Sequence, residues 1–279
     1  MCHTLPDVQR FFSGAASLPA MPEVAQRLLS CFRDPALTLA TLQAVVATDA
    51  ALSARLLRLA NSARYSPRQR VTRLDQAAAI IGLDAMRGLS LAACLVDQFP
   101  QPHGFDRLRF WCQNLGTAGY ARMLAEQIDE DGDVAEIAGL MLRSGELLML
   151  IHQPGLTALI EELAGPPDSV FEVERLNFGV THAEVSAELA VRWRFPPEVV
   201  DAIYTAADPL AARPYSPMGA LVRAASVMAD AASDGADPLL SLQQTQPLLL
   251  QRLGLHPDAV TQALPNWSRL TAAVLDLIG

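Results

Sequence analysis

The sequence predicts an all-α protein, on three observations. Apolar residues recur three and four positions apart in one segment after another, no stretch alternates apolar and polar over a useful strand length, and proline, glycine and capping residues interrupt the chain at helix-length intervals. The 279 residues are 51% hydrophobic and 18% charged, an ordinary globular balance with enough length for one large core or two smaller ones. No apolar run reaches the ~18–20 residues that cross a bilayer. The opening MCHTLPDVQRFF lacks the basic start and apolar core of a secretory signal, so a cytoplasmic protein with no membrane partner is expected. Cys2, Cys31, Cys94 and Cys112 show no CxxC spacing and read as reduced thiols.

The elements follow in order. Residues 1–17 read as a lead-in. Pro22 suits the first turn of a helix whose stripe is Val24, Leu28 and Phe32, and Asp34-Pro35 stops it. Thr38 caps the next, with Leu39, Leu42, Val45 and Val46 inward. Asp49 caps ALSARLLRLANSARY, where Leu52, Leu56, Leu59 and Ala63 share a face and Arg55, Arg58 and Ser62 share another. After a Pro- and Arg-rich loop come LDQAAAIIGL and, capped by Asp84, AMRGLSLAACLVDQF. Pro100 to Gly104 breaks the pattern and divides two helical halves, 18–100 and 105–212.

The second half opens with a helix from about Phe105 to Ile128, with Leu108, Trp111, Leu115 and Ala118 on one face. Asp129 to Asp133 resembles a calcium loop but has Val134 at the sixth position and Leu140 at the twelfth, so it reads as acidic lead-in to a helix N-terminus. Ala138 to Leu150, AGLMLRSGELLML, reads as one buried helix interrupted only by Arg143, Ser144 and Glu146. A short helix near 156–164 follows, then one opened by Pro166-Pro167-Asp168. Thr181 with Glu184 fits a capping box, and Pro196-Pro197 opens EVVDAIYTAA. Residues 213–279 read as a helical extension packed on the second half, through GALVRAASVMADAA, Pro238–Leu253 and Pro257–Ile278.

Net charge is −9, with no lysine and 21 arginines, which argues against general nucleic-acid affinity. One cluster stands against it: Arg55, Arg58, Arg64, Arg68, Arg70 and Arg73, with Asn61 and Tyr65 among them. It reads either as a solvated basic face or as a docking patch for an acidic partner or phosphates. Asn61-Ser62 reads as a brace for the turn into the loop. His3, His103, His152 and His256 read as surface residues. Arg143 cannot be buried alone, and Glu146 one turn on is its expected ion-pair partner.

Several motifs in one order resemble the HDOD family, the non-catalytic relatives of HD-type metal phosphohydrolases: Leu18-Pro-Ala-Met-Pro-Glu-Val24, Asp49 through Ala63, Ile81-Gly-Leu83, Phe110-Trp111, and His182-Ala-Glu-Val185 before Arg192-Trp193. The resemblance covers about 18–209. It implies an HD-like helical bundle, with 18–212 as the HDOD domain. The catalytic relatives hold metal with a histidine, a His-Asp pair, adjacent histidines and a late aspartate. Those positions fall here at Gln113, at Leu142 and Arg143, at Thr205 and Ala206, and at Ser226. His182 is the one remnant, read as a structural hydrogen-bonder and as a lone imidazole without a carboxylate partner, which does not hold a metal. The resemblance therefore implies no metal, no cofactor and no catalytic residue. Three functions stay open: a signalling module that binds other proteins, a phosphohydrolase with an unusual site, and a nucleotide or nucleic-acid sensor using the arginine cluster.

Overall fold

The computed structural model describes residues 6–13, 20–32, 36–62, 65, 70–96, 98–99, 105–155 and 169–278, and every regular element among them is helical. The expected helix near 156–164 lies outside the described residues, as do the first residues, 166–168, of the expected helix through Phe178, which is helical from Ser169 on. The described residues of Met1–Leu18 and Pro102–Trp267 form one compact unit, and those of Pro19–Gln101 and Ser268–Gly279 a second. Among the described residues no single helix is long and apolar enough to cross a membrane.

The unit centred on residues 19–101 contains α2 (Glu23–Phe32), α3 (Leu39–Val46), α4 (Ala50–Ala60), α5 (Leu74–Ile81) and α6 (Leu83–Val96). Thr38 and Asp49 cap α3 and α4 by accepting from the Thr41 and Leu52 amides. The stripe Leu52, Leu56 and Leu59 is buried, as are Leu28, Leu42 and Val46. Asp84 is not the cap of α6, because that helix already starts at Leu83.

The other unit holds α1 (Pro6–Gln9) with a 3-10 turn at Arg10–Phe12, α7 (Arg107–Gln127), α8 (Gly132–Met141), α9 (Ser144–His152), α10 (Ser169–Phe178), α11 (His182–Arg192), α12 (Pro197–Ala206), α13 (Pro217–Ser233), α14 (Pro238–Thr245), α15 (Pro247–Leu253) and α16 (Pro257–Ala263). Its core is α7 against α8 and α13, with Tyr120, Leu124, Met141, Leu221 and Met228 fully enclosed. Gly139 permits the α7–α8 approach, since a Cβ there would sit 2.9 Å from the Ala118 Cα. Asp131 caps α8 by accepting from the Asp133 and Val134 amides, as a helix lead-in does. Trp111, Leu115 and Ala118 are buried on α7, but Leu108, in the first turn, is 43% exposed.

The ends depart from the sequence expectation. Residues 6–13, within the expected lead-in, pack on this unit. The C-terminal stretch divides after Trp267: α17 (Trp267–Thr271) spans the boundary, and α18 (Val274–Ile278) packs on α4 and α6 of the other unit. Cys31, Cys94 and Cys112 are thiols rather than disulfides.

A candidate ion-pair centre around Arg143

The segment expected to be one helix is two. α8 ends at Met141, Leu142 and Arg143 form a turn, and α9 starts at Ser144. The cause is Ser186 of α11. Its hydroxyl donates to the Leu142 carbonyl at 2.6 Å and accepts from the Gly145 amide at 2.7 Å, so a side chain replaces a rung of the helical ladder. Gly145 admits it: a Cβ there would lie 2.2 Å from the His182 carbonyl oxygen. The turn places Arg143 at φ −93°, ψ 2° and sends its side chain inward, 6% exposed.

The Arg143 guanidinium gathers the surrounding polar groups. Nη1 donates to Glu146 Oε1 at 2.6 Å, and Nη2 to Asp230 Oδ1 at 2.5 Å and Ser226 Oγ at 3.2 Å. Gln113 Nε2 donates to the same Asp230 oxygen at 3.0 Å. Burial opposes the charge on Arg143, but Asp230 and then Glu146 outweigh it, and the guanidinium is held above its ordinary value. The expected Arg143–Glu146 pair is thus present and half of a larger arrangement. Three positions read from the resemblance, Gln113, Arg143 and Ser226, meet here. Leu142 is buried and enters only through its carbonyl.

Thr205 and Ala206 do not join the centre. The Thr205 hydroxyl donates to the Asp201 carbonyl of its own helix at 2.6 Å, and the Ala206 and Ala207 carbonyls accept from Arg223, which caps the end of α12.

His182 is fully buried and has a carboxylate partner, which corrects the sequence reading. Its Nδ1 lies 2.8 Å from Glu174 Oε2 and 3.7 Å from Glu146 Oε1, and its backbone amide also donates to Glu174 at 2.8 Å. The Phe171 ring lies 4.3 Å from the imidazole, centre to centre, and Nε2 has no hydrogen-bond partner among the described residues. Sequence reasoning missed Glu174 and Asp230. Both left a trace: Glu174 shares its helix face with Phe171 and Phe178, and Asp230 stands one turn after Ser226.

These residues do not fit a divalent cation. The two carboxylates nearest the arginine are taken up by a fixed positive charge, which repels a second cation at this range. Among the described residues no group of three or more His, Cys, Asp and Glu is arranged to hold a metal ion.

The arginine cluster resolves differently. Arg55 is half-buried and donates to the Ala93 carbonyl at 2.8 Å. Asn61 is a brace: its amide donates to the Leu57 and Val71 carbonyls at 2.7 and 2.8 Å, and its oxygen accepts from the Val71 amide at 2.8 Å. Tyr65 is half-buried, Arg73 pairs with Asp75 through two bonds of 2.9 Å, and Arg58 and Arg70 are exposed. Arg64 and Arg68 lie outside the described residues. Charge nonetheless divides between the units. Residues 19–101 with 268–279 carry ten arginines against seven carboxylates, net +3, and the rest eleven against twenty-three, net −12, which together give −9.

A family model for the HDOD domain matches residues 18–209. A Treponema pallidum protein, named "Uncharacterized protein", is 27% identical over 191 residues, covering 67% of this chain and 37% of its own length. The chain thus spans little more than a third of that relative. Among solved structures, a Shewanella amazonensis protein named "Putative phosphohydrolase" matches with TM-score 0.76 and 24% identity over 99% of both chains. A Marinobacter aquaeolei protein named "Putative signal transduction protein" matches with TM-score 0.80 and 21% identity, over 98% of this chain and 64% of the other. At these identities the likeness shows the fold.

Proposed function

The chain belongs to the HDOD domain family, and we propose that it is a non-catalytic regulatory and protein-interaction module of bacterial signal transduction, with a degenerate HD site. One observation carries the reading: where the resemblance puts a metal-binding His-Asp pair, Arg143 is buried between Glu146, Asp230 and Ser226. A guanidinium fastens carboxylates but supplies no open coordination position to polarise phosphate or to lower the pKa of water. What remains is a bundle whose centre is held by fixed charge. A module of this kind acts by binding other proteins.

The test is metal content and turnover on the full chain. Elemental analysis after purification in manganese- and magnesium-supplemented buffer is expected to find less than a tenth of an ion per chain, and cyclic dinucleotides and phosphomonoesters are expected to remain intact. Stoichiometric metal, with hydrolysis lost on His182→Ala, would establish a phosphohydrolase instead.

A further inference from the structure

Residues 6–13 fasten to three helices of one unit. Phe11 is 1% exposed and meets the Phe178 and His152 rings edge-on, each at 5.9 Å between centroids; Val8 is also buried. Polar contacts surround these two anchors. Gln9 donates to Glu188 Oε1 at 3.1 Å and accepts from Arg192 at 2.5 Å. Arg10 donates to the Phe178 carbonyl, the Arg192 guanidinium lies 4.3 Å from the centre of the Phe12 ring, and His152 Nε2 lies 3.0 Å from the Ser13 carbonyl oxygen. All these partners belong to α9, α10 and α11.

A four-residue helix followed by one 3-10 turn has no stability of its own. The groove orders it. The pattern is that of a short peptide in a helix-lined groove: an aliphatic anchor, an aromatic anchor three residues later, and a polar rim. We propose that the α9–α10–α11 groove is a docking site for a short helical segment of a partner protein, and that residues 6–13 occupy it in cis as a releasable strap. The occupant's chemistry is read from the strap: Val8 and Phe11 as anchors, Gln9 and Arg10 for the rim, Phe12 for the Arg192 face. The tether gives the strap a millimolar effective concentration, so a partner segment enters when the strap leaves. This rests on the interaction-module reading and deepens it, but its test reads peptide binding, so it stands or falls apart from metal content and turnover.

The experiment uses full-length chains and a fluorescein-labelled peptide of residues 4–14, followed by anisotropy. The Phe11→Ala chain, with its groove vacated, is expected to bind the peptide saturably, and the unaltered chain at least tenfold more weakly. A peptide carrying Phe11→Ala is expected to bind neither. If Phe11→Ala fails to fold by circular dichroism, Arg10→Ala decides: it removes one rim contact, leaves both anchors in place, and is expected to bind at least threefold more tightly than the unaltered chain. No binding to the folded variant, or equal binding to variant and unaltered chain, overturns the proposal. A dimer that forms with concentration and dissociates on adding peptide overturns the assignment to a different protein, because the occupant would then be a second copy.

Discussion

Replacing Arg143 by methionine isolates the centre. Methionine keeps the length and apolar stem of the side chain and deletes the guanidinium. Glu146 and Asp230, 22% and 16% exposed in the intact centre, are then without their cation, while Gln113 still donates to Asp230. Breaking a buried pair by removing one member costs about 3–5 kcal/mol. The partial exposure of both carboxylates and the surviving Gln113 bond argue for the lower end, about 3 kcal/mol, or roughly 6–12 °C in melting temperature for a unit of this size. The assay is thermal melting followed by circular dichroism at pH 7. The triple variant Arg143→Met, Glu146→Gln, Asp230→Asn removes the uncompensated charges and is expected to recover about half the loss. Arg143→Lys keeps a charge but has no planar fork to reach both carboxylates, and should fall between the two. Stability within about 1 kcal/mol of the unaltered chain for Arg143→Met, or a triple variant weaker than the single, would refute the claim that the cation neutralises these carboxylates.

Three other predictions concern the same unit. Burial, with the Asp237 charge added, pushes the Tyr120 hydroxyl up to about 12, from an ordinary value near 10. The folded state therefore favours the protonated phenol. That contribution is complete below pH 10 and is lost as pH rises from 10 through 12. Absorbance at 295 nm should show a late-ionising tyrosine, and Tyr120→Phe should flatten the fall of melting temperature over that window. Ser186→Ala leaves the buried Leu142 carbonyl and Gly145 amide without their partner, a loss of about 2–4 kcal/mol by urea denaturation. Gly145→Ala should cost more, because its Cβ forces α9 off the α11 backbone.

The local grammar of this fold was legible. Thr38, Asp49 and Thr181 with Glu184 cap the helices they were expected to cap, because a cap is set by a side chain and an amide two or three residues apart. The break at Leu142–Arg143 was not, because the group that makes it, Ser186, lies over forty residues away in the chain. The Arg143–Glu146 pair could be read from three-residue spacing, whereas Asp230 reaches Arg143 only through the packing of α13 against α7 and α8. The Glu174–His182 contact is eight residues apart across a turn, too far for periodicity to reveal. Leu108 satisfied the helical stripe, yet in the first turn of α7 it is left exposed. His152 read as a surface residue because its partners, Phe11 and the Ser13 carbonyl, are more than a hundred residues away.

In the proposed reading, a guanidinium in place of a dication changes what the centre can do more than what it holds. A metal ion ties ligands from several helices and also activates water. Arg143 supplies the first of these, joining Glu146 on α9 with Ser226 and Asp230 on α13, and through Asp230 reaching Gln113 on α7. The fastening is permanent, because a guanidinium neither dissociates nor deprotonates in the working range. The strap fastens some of the same helices at other points. Glu146 and Glu174 sit earlier on α9 and α10, whose last residues, His152 and Phe178, meet Phe11; on α11 His182 comes first, and Glu188 and Arg192 hold Gln9 near the other end. On the strap reading, its release would free the last residues of α9 and α10 and the Glu188–Arg192 end of α11, while Arg143–Glu146 holds the start of α9 and Glu174–His182 ties α10 to the start of α11. In the interaction module proposed above, that division would let the bundle present a bound and an unbound face.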